Sequence, residues 1–158
     1  MEGLKIEKAT LQDAAAILNL QKLAFQSEAE LHNDFHISPL LESIDDYKAG
    51  FNNYHYLKAV FQGLLVGSVR GRLTDDNRLL IGRLIVHPDY QGRGIGKSLM
   101  GQIEDEFRGV SHFELFTAEI SVRNMTFYKK LGYEITDKFR EPANEKITLV
   151  VFRKKPSK

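Results

Sequence analysis

A glycine-rich stretch near the middle of the chain has the composition of an anion-binding loop. Three glycines alternate with other residues there, and the apolar residues Leu99, Ile103 and Phe107 then follow at helical spacing. Glycine lets the backbone approach a ligand closely, and the free N–H groups at the start of a helix attract negative charge. The stretch is therefore predicted to bind phosphate, and it consists of Gln91, Gly92, Arg93, Gly94, Ile95, Gly96 and Lys97.

Two common phosphate loops do not fit the spacing of these glycines. A Walker loop requires glycine five residues before Gly96, where this chain has Gln91. The dinucleotide fingerprint requires glycine at the position of Lys97 or of Leu99, depending on which glycine begins it. The spacing therefore disfavours a nucleotide-binding protein of either kind.

The same stretch resembles the acetyl-CoA signature of the GNAT superfamily of N-acetyltransferases, Gln/Arg-x-x-Gly-x-Gly/Ala after a strand that ends in Val-x-Pro. Here that strand end is Val86-His87-Pro88. The segment from Phe127 to Tyr133 is similar to the family's second marker, an aromatic pair, a basic or polar pair and then Leu-Gly-aromatic. The resemblance implies that acetyl-CoA is the acyl donor and that a primary amine of a small molecule or peptide is the acceptor. A non-catalytic module that binds acyl-CoA needs only the loop, so that alternative stays open.

The resemblance also implies which residues bind the coenzyme. Backbone N–H groups of the loop would hold the pyrophosphate, and the strand before the loop would turn unpaired backbone groups toward the pantetheine and the thioester. The asparagine of the commonest family pattern falls at Ser121 in this chain, and Asn124 comes three residues later. The implied coenzyme-binding set is Leu84, Ile85, Val86, Gln91, Gly92, Arg93, Gly94, Ile95, Gly96, Lys97 and Asn124.

Tyr128 takes the position of the family's general-acid tyrosine. A neutral phenol with a pKa of about 10 can protonate the leaving thiolate at neutral pH. Many relatives place a glutamate on the strand before the loop, but Arg83 stands at a comparable place here. Glu28 and Glu119 are the remaining candidates for the general base, and either is also explained as a solvated surface carboxylate.

Charged residues give opposite indications about the acceptor. Arginines on neighbouring predicted strands suit an acidic acceptor or pair with surface carboxylates, whereas acidic residues after the first helix suit a cationic amine. His32 and His36 are predicted to be surface histidines rather than metal ligands, and no metal is predicted. The two charged sets are Arg70, Arg72 and Arg83, and Glu28, Glu30 and Asp34.

The segments that would position these groups alternate between the periods of strands and helices. The pattern predicts one α/β domain over residues 1–153 and a frayed basic tail over 154–158. The domain is expected to hold a mixed, mostly antiparallel sheet of six or seven strands with about four flanking helices, which is the GNAT arrangement. The segment from Glu28 to Asn53 has no clear pattern beyond a second helix beginning at Ser38.

Composition limits the remaining function classes. The 158 residues include 22 Lys and Arg against 21 Asp and Glu, so the net charge of +1 favours neither nucleic acid nor an anionic membrane. The absence of cysteine excludes disulfides, thiolate nucleophiles and cysteine-based metal sites. Because no signal-like segment or long apolar run is present, a cytoplasmic location is expected. The expected partners are acetyl-CoA and an amine acceptor, and a homodimer is left open.

Overall fold

Seven strands form one mixed sheet in the computed structural model, which describes residues 1–157. Their order in the sheet is β1-β2-β3-β4-β5-β7-β6, and neighbours are antiparallel except for β4 and β5. The predicted fold class is confirmed. The strands are β1 (Leu4–Lys8), β2 (His55–Phe61), β3 (Leu64–Leu73), β4 (Arg78–Val86), β5 (His112–Ala118), β6 (Glu134–Glu141) and β7 (Asn144–Lys154).

Six α-helices flank this sheet within residues 1–157. The sequence pattern predicted about four, and the difference lies in residues 26–50, where three short helices replace an irregular piece and a single helix. Asn33 ends one of them in the left-handed conformation, and extended backbone at Glu42 separates the next two. Such short helices have too few turns to show a repeating apolar face. The helices are α1 (Ala14–Ala24), α2 (Gln26–His32), α3 (Ser38–Leu41), α4 (Ile44–Gly50), α5 (Ile95–Glu106) and α6 (Val122–Lys130).

Thr10 and Asp13 form a capping box at the start of the first helix. The backbone N–H of Thr10 donates to Asp13 Oδ2 at 2.8 Å, and the Thr10 hydroxyl lies 3.3 Å from the same oxygen. This capping box opens one turn of 3-10 helix before α1. Asp13 also accepts from Lys58 Nζ of β2 at 3.0 Å, so the start of the helix is tied to the sheet.

Helices cover both faces of the central strands. Tyr56 and Leu57 are neighbours on β2 and therefore point to opposite faces. Leu57 packs in the cluster that contains Leu99 of α5, and Tyr56 packs in the cluster that contains Ile17 of α1. Full burial of a large apolar side chain contributes about 1.5 to 3 kcal/mol, so these layers make a firm support for the loop that follows β4.

Strands β4 and β5 diverge along their length. They pair only from Arg78 to Leu80 on β4, opposite residues 112–114 of β5. Beyond that point β4 follows β3 as far as Val86, and β5 follows β7 as far as Ala118. The sheet therefore has a gap between two of its central strands.

A bulge in β4 accompanies the divergence. Ser68 and Arg70 of β3 are two residues apart, but their partners Ile85 and Gly82 on β4 are three residues apart. Arg83 lies in this extra length and has a φ of 49°, in the left-handed region. An extra residue bends the strand that carries it and increases the local twist.

The C-terminal strand runs further than the sequence pattern predicts. β7 continues through Lys154, one residue past the predicted domain end, where Lys154 pairs with Phe113 of β5. The Lys154 Nζ also lies 2.7 Å from Glu104 Oε1 of α5. Lys154 is therefore part of the sheet rather than of a frayed tail. Within residues 1–157 no helix combines the length and the apolar character needed to cross a bilayer.

Candidate active site

A cavity of about 1010 Å³ opens where β4 and β5 diverge. Residues of α2, α3, the β6–β7 hairpin, α6 and the loop before α5 line it together with the two strands. The cavity thus brings together segments from most of the chain. The sequence-predicted site residues that line it are Glu28, Leu84, Ile85, Val86, Gln91, Gly92, Gly94, Ile95, Gly96, Lys97, Asn124 and Tyr128.

The glycine-rich loop has the geometry of an anion site. Gly92 and Gly94 have φ values of 76° and 83°, and Gly94 is the N-cap of α5. The first bond within the helix runs from the N–H of Ser98 to the Gly94 carbonyl at 3.0 Å. The N–H groups of residues 95–97 precede it and have no partner within the helix, at the positive end of its dipole.

Each position in the loop has its own steric requirement. A Cβ at Gly92 or Gly94 would meet no atom within 4 Å, so these positions need glycine for their backbone conformation. A Cβ at Gly96 would lie 3.3 Å from the ring of Phe127, so this glycine lets α6 approach α5. The side chain of Ile95 is buried in the core, which leaves only its backbone to face the cavity.

The cations around the loop differ from those expected. Lys97 lines the cavity, but Arg93 does not, and its guanidinium lies 5.0 Å from the centre of the Tyr90 ring. Arg123 lines the cavity instead and donates to Gln91 Oε1 at 2.8 Å. Arg123 is not among the residues predicted from the sequence, although a cation in the first turn of a helix opposes the helix dipole and so indicates another role.

The end of β4 presents backbone groups to the gap. Ile85 and Val86 pair with β3 through Ser68 and Gly67 along one edge. Along the other edge no described strand pairs with them, as the family resemblance implied. The side chain of Ile85 is buried in the core. The polar groups that this residue can present to the cavity are therefore those of the main chain.

Glu28 is the centre of a polar cluster at the cavity wall. Its Oε1 accepts from the Ser121 hydroxyl at 2.8 Å and from Asn124 Nδ2 at 3.2 Å. Its other oxygen lies 3.5 Å from His32 Nε2. The carboxylate therefore joins α2 to the start of α6, which follows it by more than ninety residues.

The environment of Tyr128 keeps its phenol protonated. Its ring packs against the rings of Phe127, Tyr133 and Phe152, at centroid distances of 5.2 to 6.1 Å. Burial first, and then the negative charge of Glu28, raises the pKa of Tyr128 above its ordinary value. Within residues 1–157 no group forms a hydrogen bond with its hydroxyl.

Two sequence predictions about side chains are not met by the geometry. Glu119, a candidate base, does not line the cavity, and its carboxylate pairs with Lys138 of β6. His32 is not a surface histidine, because it is only 7% exposed and pairs with Glu28. Its neighbour in the pattern, His36, is 87% exposed. Among residues 1–157 no three His, Asp or Glu side chains are arranged to hold a metal ion.

Comparison with known proteins identifies the family. The family model described as acetyltransferase (GNAT) family matches residues 15–133. The chain belongs to the GNAT acetyltransferase family. Protein YqkA of Bacillus subtilis (strain 168) is 27% identical over 158 residues, which cover 100% of this chain and 44% of YqkA. An acetyltransferase of Yersinia pestis (strain Pestoides F) is 36% identical over 84 residues, which cover 52% of this chain and 59% of that protein. The chain thus spans about half the length of these curated relatives.

The solved structure of another protein, yncA, shares the fold of this chain. The structure of yncA from Salmonella typhimurium, determined with its cofactor acetyl-CoA, aligns with a TM-score of 0.77 and 18% sequence identity. The alignment covers 99% of this chain and 96% of yncA. At this identity the similarity establishes the GNAT fold.

Two places where this GNAT chain departs from the commonest pattern belong to the cavity. Ser121 stands where the pattern has asparagine, and the structure brings Ser121 and Asn124 onto one carboxylate oxygen of Glu28. Arg83 stands near the place of the glutamate that many relatives have, and it also lines the cavity. The cavity therefore has a carboxylate from α2 and none from β4, and Asp34 and Glu141 also line it.

Proposed function

We propose that this protein is an N-acetyltransferase that moves the acetyl group of acetyl-CoA directly to a primary amine. One observation carries the proposal. A single cavity joins the free N–H groups of α5 and the unpaired edge of β4 to the cluster around Glu28 and Tyr128. The first two features suit a coenzyme, and the cluster suits proton transfer.

The residues around the gap fit coenzyme A in three ways. The free N–H groups of residues 95–97 and the side chains of Lys97 and Arg123 would hold the pyrophosphate. The backbone groups of residues 84–86 would pair with the pantetheine amides and polarise the thioester carbonyl. The open space beside Gly92 and Gly94 leaves room for the phosphates. When bound, acetyl-CoA supplies an acetyl group that is activated as a thioester.

Glu28 would accept the proton of the amine. An alkyl amine with a pKa of about 10.4 is mostly protonated at pH 7, and deprotonating it costs about 4 to 5 kcal/mol. Oε1 of Glu28 already accepts two hydrogen bonds, whereas Oε2 has, among residues 1–157, only the imidazole of His32 as a polar partner, at 3.5 Å. This second oxygen is therefore the one left to receive a proton, directly or through a water molecule.

Tyr128 would donate a proton to the thiolate of the leaving coenzyme. Its phenol lines the same cavity, remains neutral because its pKa is raised, and has no competing hydrogen-bond acceptor within residues 1–157. An unpaired, neutral hydroxyl is the form that a general acid needs before the ligand arrives.

A panel of primary amines, incubated with acetyl-CoA and assayed for released thiol and for acetylated product by mass spectrometry, tests the proposal. Acetylation of at least one acceptor at a rate well above hydrolysis is the expected result. Binding of acetyl-CoA by calorimetry with no acetylation of any acceptor would contradict it and favour the non-catalytic acyl-CoA module. Fractionation of expressing cells and light scattering test the predicted cytoplasmic location and a homodimer.

A further inference from the structure

The bulge in β4 gives Arg83 a backbone conformation that arginine rarely adopts. Its φ of 49° is in the left-handed region, where a side chain crowds the following carbonyl. Non-glycine residues kept in such a conformation are concentrated at functional sites. The residue stands immediately before Leu84, the first of the three backbone positions proposed to meet the pantetheine and the thioester.

The charges around Arg83 do not balance. Within residues 1–157, Glu42 is the single carboxylate paired with these two guanidinium groups, with Oε2 3.4 Å from Arg70 Nη1 and Oε1 3.5 Å from Arg83 Nε. Gln21 Nε2 also donates to Glu42 at 2.9 Å. Arg70 is further held by the Tyr54 ring, 4.1 Å from its guanidinium carbon. One positive charge is thus left over beside the cavity.

Arg83 also has unused hydrogen-bond donors. Its Nη2 donates to the Ser38 hydroxyl at 3.2 Å. Its Nε is buried without a hydrogen bond, because the approach to Glu42 has only the distance of an ion pair. Within residues 1–157 no group accepts a hydrogen bond from Nη1. The buried Nε faces Glu42, so Nη1 and the second N–H of Nη2 are the donors left for a ligand in the cavity. Two such N–H groups can bind a carboxylate through parallel hydrogen bonds.

Arg83 of the basic set lines the same cavity as Glu28 and Asp34 of the acidic set, so charges of both signs belong to one site. We infer that the acceptor is an amine that also carries a carboxylate, as an amino acid does, and that Arg83 binds this carboxylate. Glu28 faces the amino group of the acceptor. The carboxylate of the acceptor balances the positive charge of Arg83 that Glu42 leaves unpaired. This inference rests on the proposed acetyl transfer and adds the substrate class. Arg70 is occupied by Glu42, Tyr54 and Tyr56 and does not line the cavity.

The test compares each amino acid in a panel with its amide, which keeps the side chain and removes the charge of the carboxylate. The ratio of kcat/KM for acid over amide is measured in the wild type, Arg83→Gln, Arg83→Lys and the control Arg72→Gln. Arg72 lies on β3 outside the cavity. Comparing one ratio across the four proteins cancels the difference in amine pKa between acid and amide.

We expect the ratio to fall by about 10- to 100-fold in Arg83→Gln, the usual effect of losing a charge-assisted pair. Arg83→Lys keeps the charge but not the two parallel donors, so its ratio should lie between those of the wild type and Arg83→Gln. Arg72→Gln should keep the wild-type ratio, and the KM for acetyl-CoA should stay within about twofold in all four. Glu42 retains Gln21 and Arg70 in the Arg83 variants, so these should fold. An unchanged ratio in Arg83→Gln overturns the inference.

A binding measurement separates this inference from the proposed function. Calorimetry of acid and amide with the CoA-saturated protein needs no turnover. If the acid binds more tightly through Arg83 but no amine is acetylated, the proposed function fails and the anion site stands. If amines are acetylated but acid and amide bind and react alike, the function stands and the anion site is refuted. Should Arg83→Gln fail to fold by thermal denaturation, Arg83→Lys provides the same comparison.

Discussion

Replacing Tyr128 with Phe separates packing from chemistry at the proposed general acid. The ring keeps its contacts with Phe127, Tyr133 and Phe152, and only the hydroxyl is removed. Because no group within residues 1–157 forms a hydrogen bond with that hydroxyl, no protein partner is left unpaired. The free energy of unfolding should therefore change by less than about 1 kcal/mol.

The expected loss of turnover follows from the protonation state of Tyr128. Burial and the charge of Glu28 raise its pKa above the ordinary value, so the neutral phenol persists throughout the working pH range. Loss of a general acid lowers the rate by about 10²- to 10⁴-fold, which corresponds to about 2.7 to 5.5 kcal/mol of transition-state stabilisation. The affinity for acetyl-CoA should stay near that of the wild type.

The assay is steady-state thiol release at saturating acceptor, with calorimetry for acetyl-CoA and thermal denaturation as controls. A kcat that does not fall between about pH 8 and pH 10 in the wild type would agree with a tyrosine whose pKa is raised. A Tyr128→Phe variant with the wild-type kcat, under conditions where the chemical step limits the rate, would refute the reasoning. Solvent would then be the proton source.

Three further substitutions test other parts of the site and the fold. Gly94→Val, at a φ of 83°, should abolish coenzyme binding measured by calorimetry and lower the free energy of unfolding by about 1 to 2 kcal/mol. The control Gly101→Ala, within α5, should bind the coenzyme as the wild type does. Glu28→Gln keeps a hydrogen-bond acceptor for Ser121 but no longer takes up a proton, so kcat should fall by about 10²-fold at pH 7. The kcat should recover at higher pH, where the amine is already deprotonated. An equal loss at all pH values would argue against a general base. Burial raises the pKa of Glu42, but the bond from Gln21 and the charges of Arg70 and Arg83 outweigh it and leave the pKa below its ordinary value. The ionised carboxylate therefore stabilises the fold above about pH 4.5, and urea denaturation should show this advantage over Glu42→Gln disappearing as the pH falls below that value.

The sequence alone determined the features that depend on neighbouring residues. The alternation of apolar residues predicted the strands, because side chains on a strand point to opposite faces in turn. The loop was equally clear: glycine is the residue that readily adopts positive φ, and it does so at Gly92 and Gly94. The order of these elements was enough to predict the sheet and the anion site before α5.

Tertiary structure decided which charged side chains belong to the site. Glu28 and Glu119 could not be told apart in the sequence, but Glu28 meets Ser121 and Asn124 across more than ninety residues, while Glu119 pairs with Lys138. Arg83 lines the cavity because one extra residue in β4 shifts the register against β3. Local patterns specify strands and helices, because those depend on neighbouring residues. Long-range contacts form only when the elements pack together, so a short segment of sequence does not predict its distant partner.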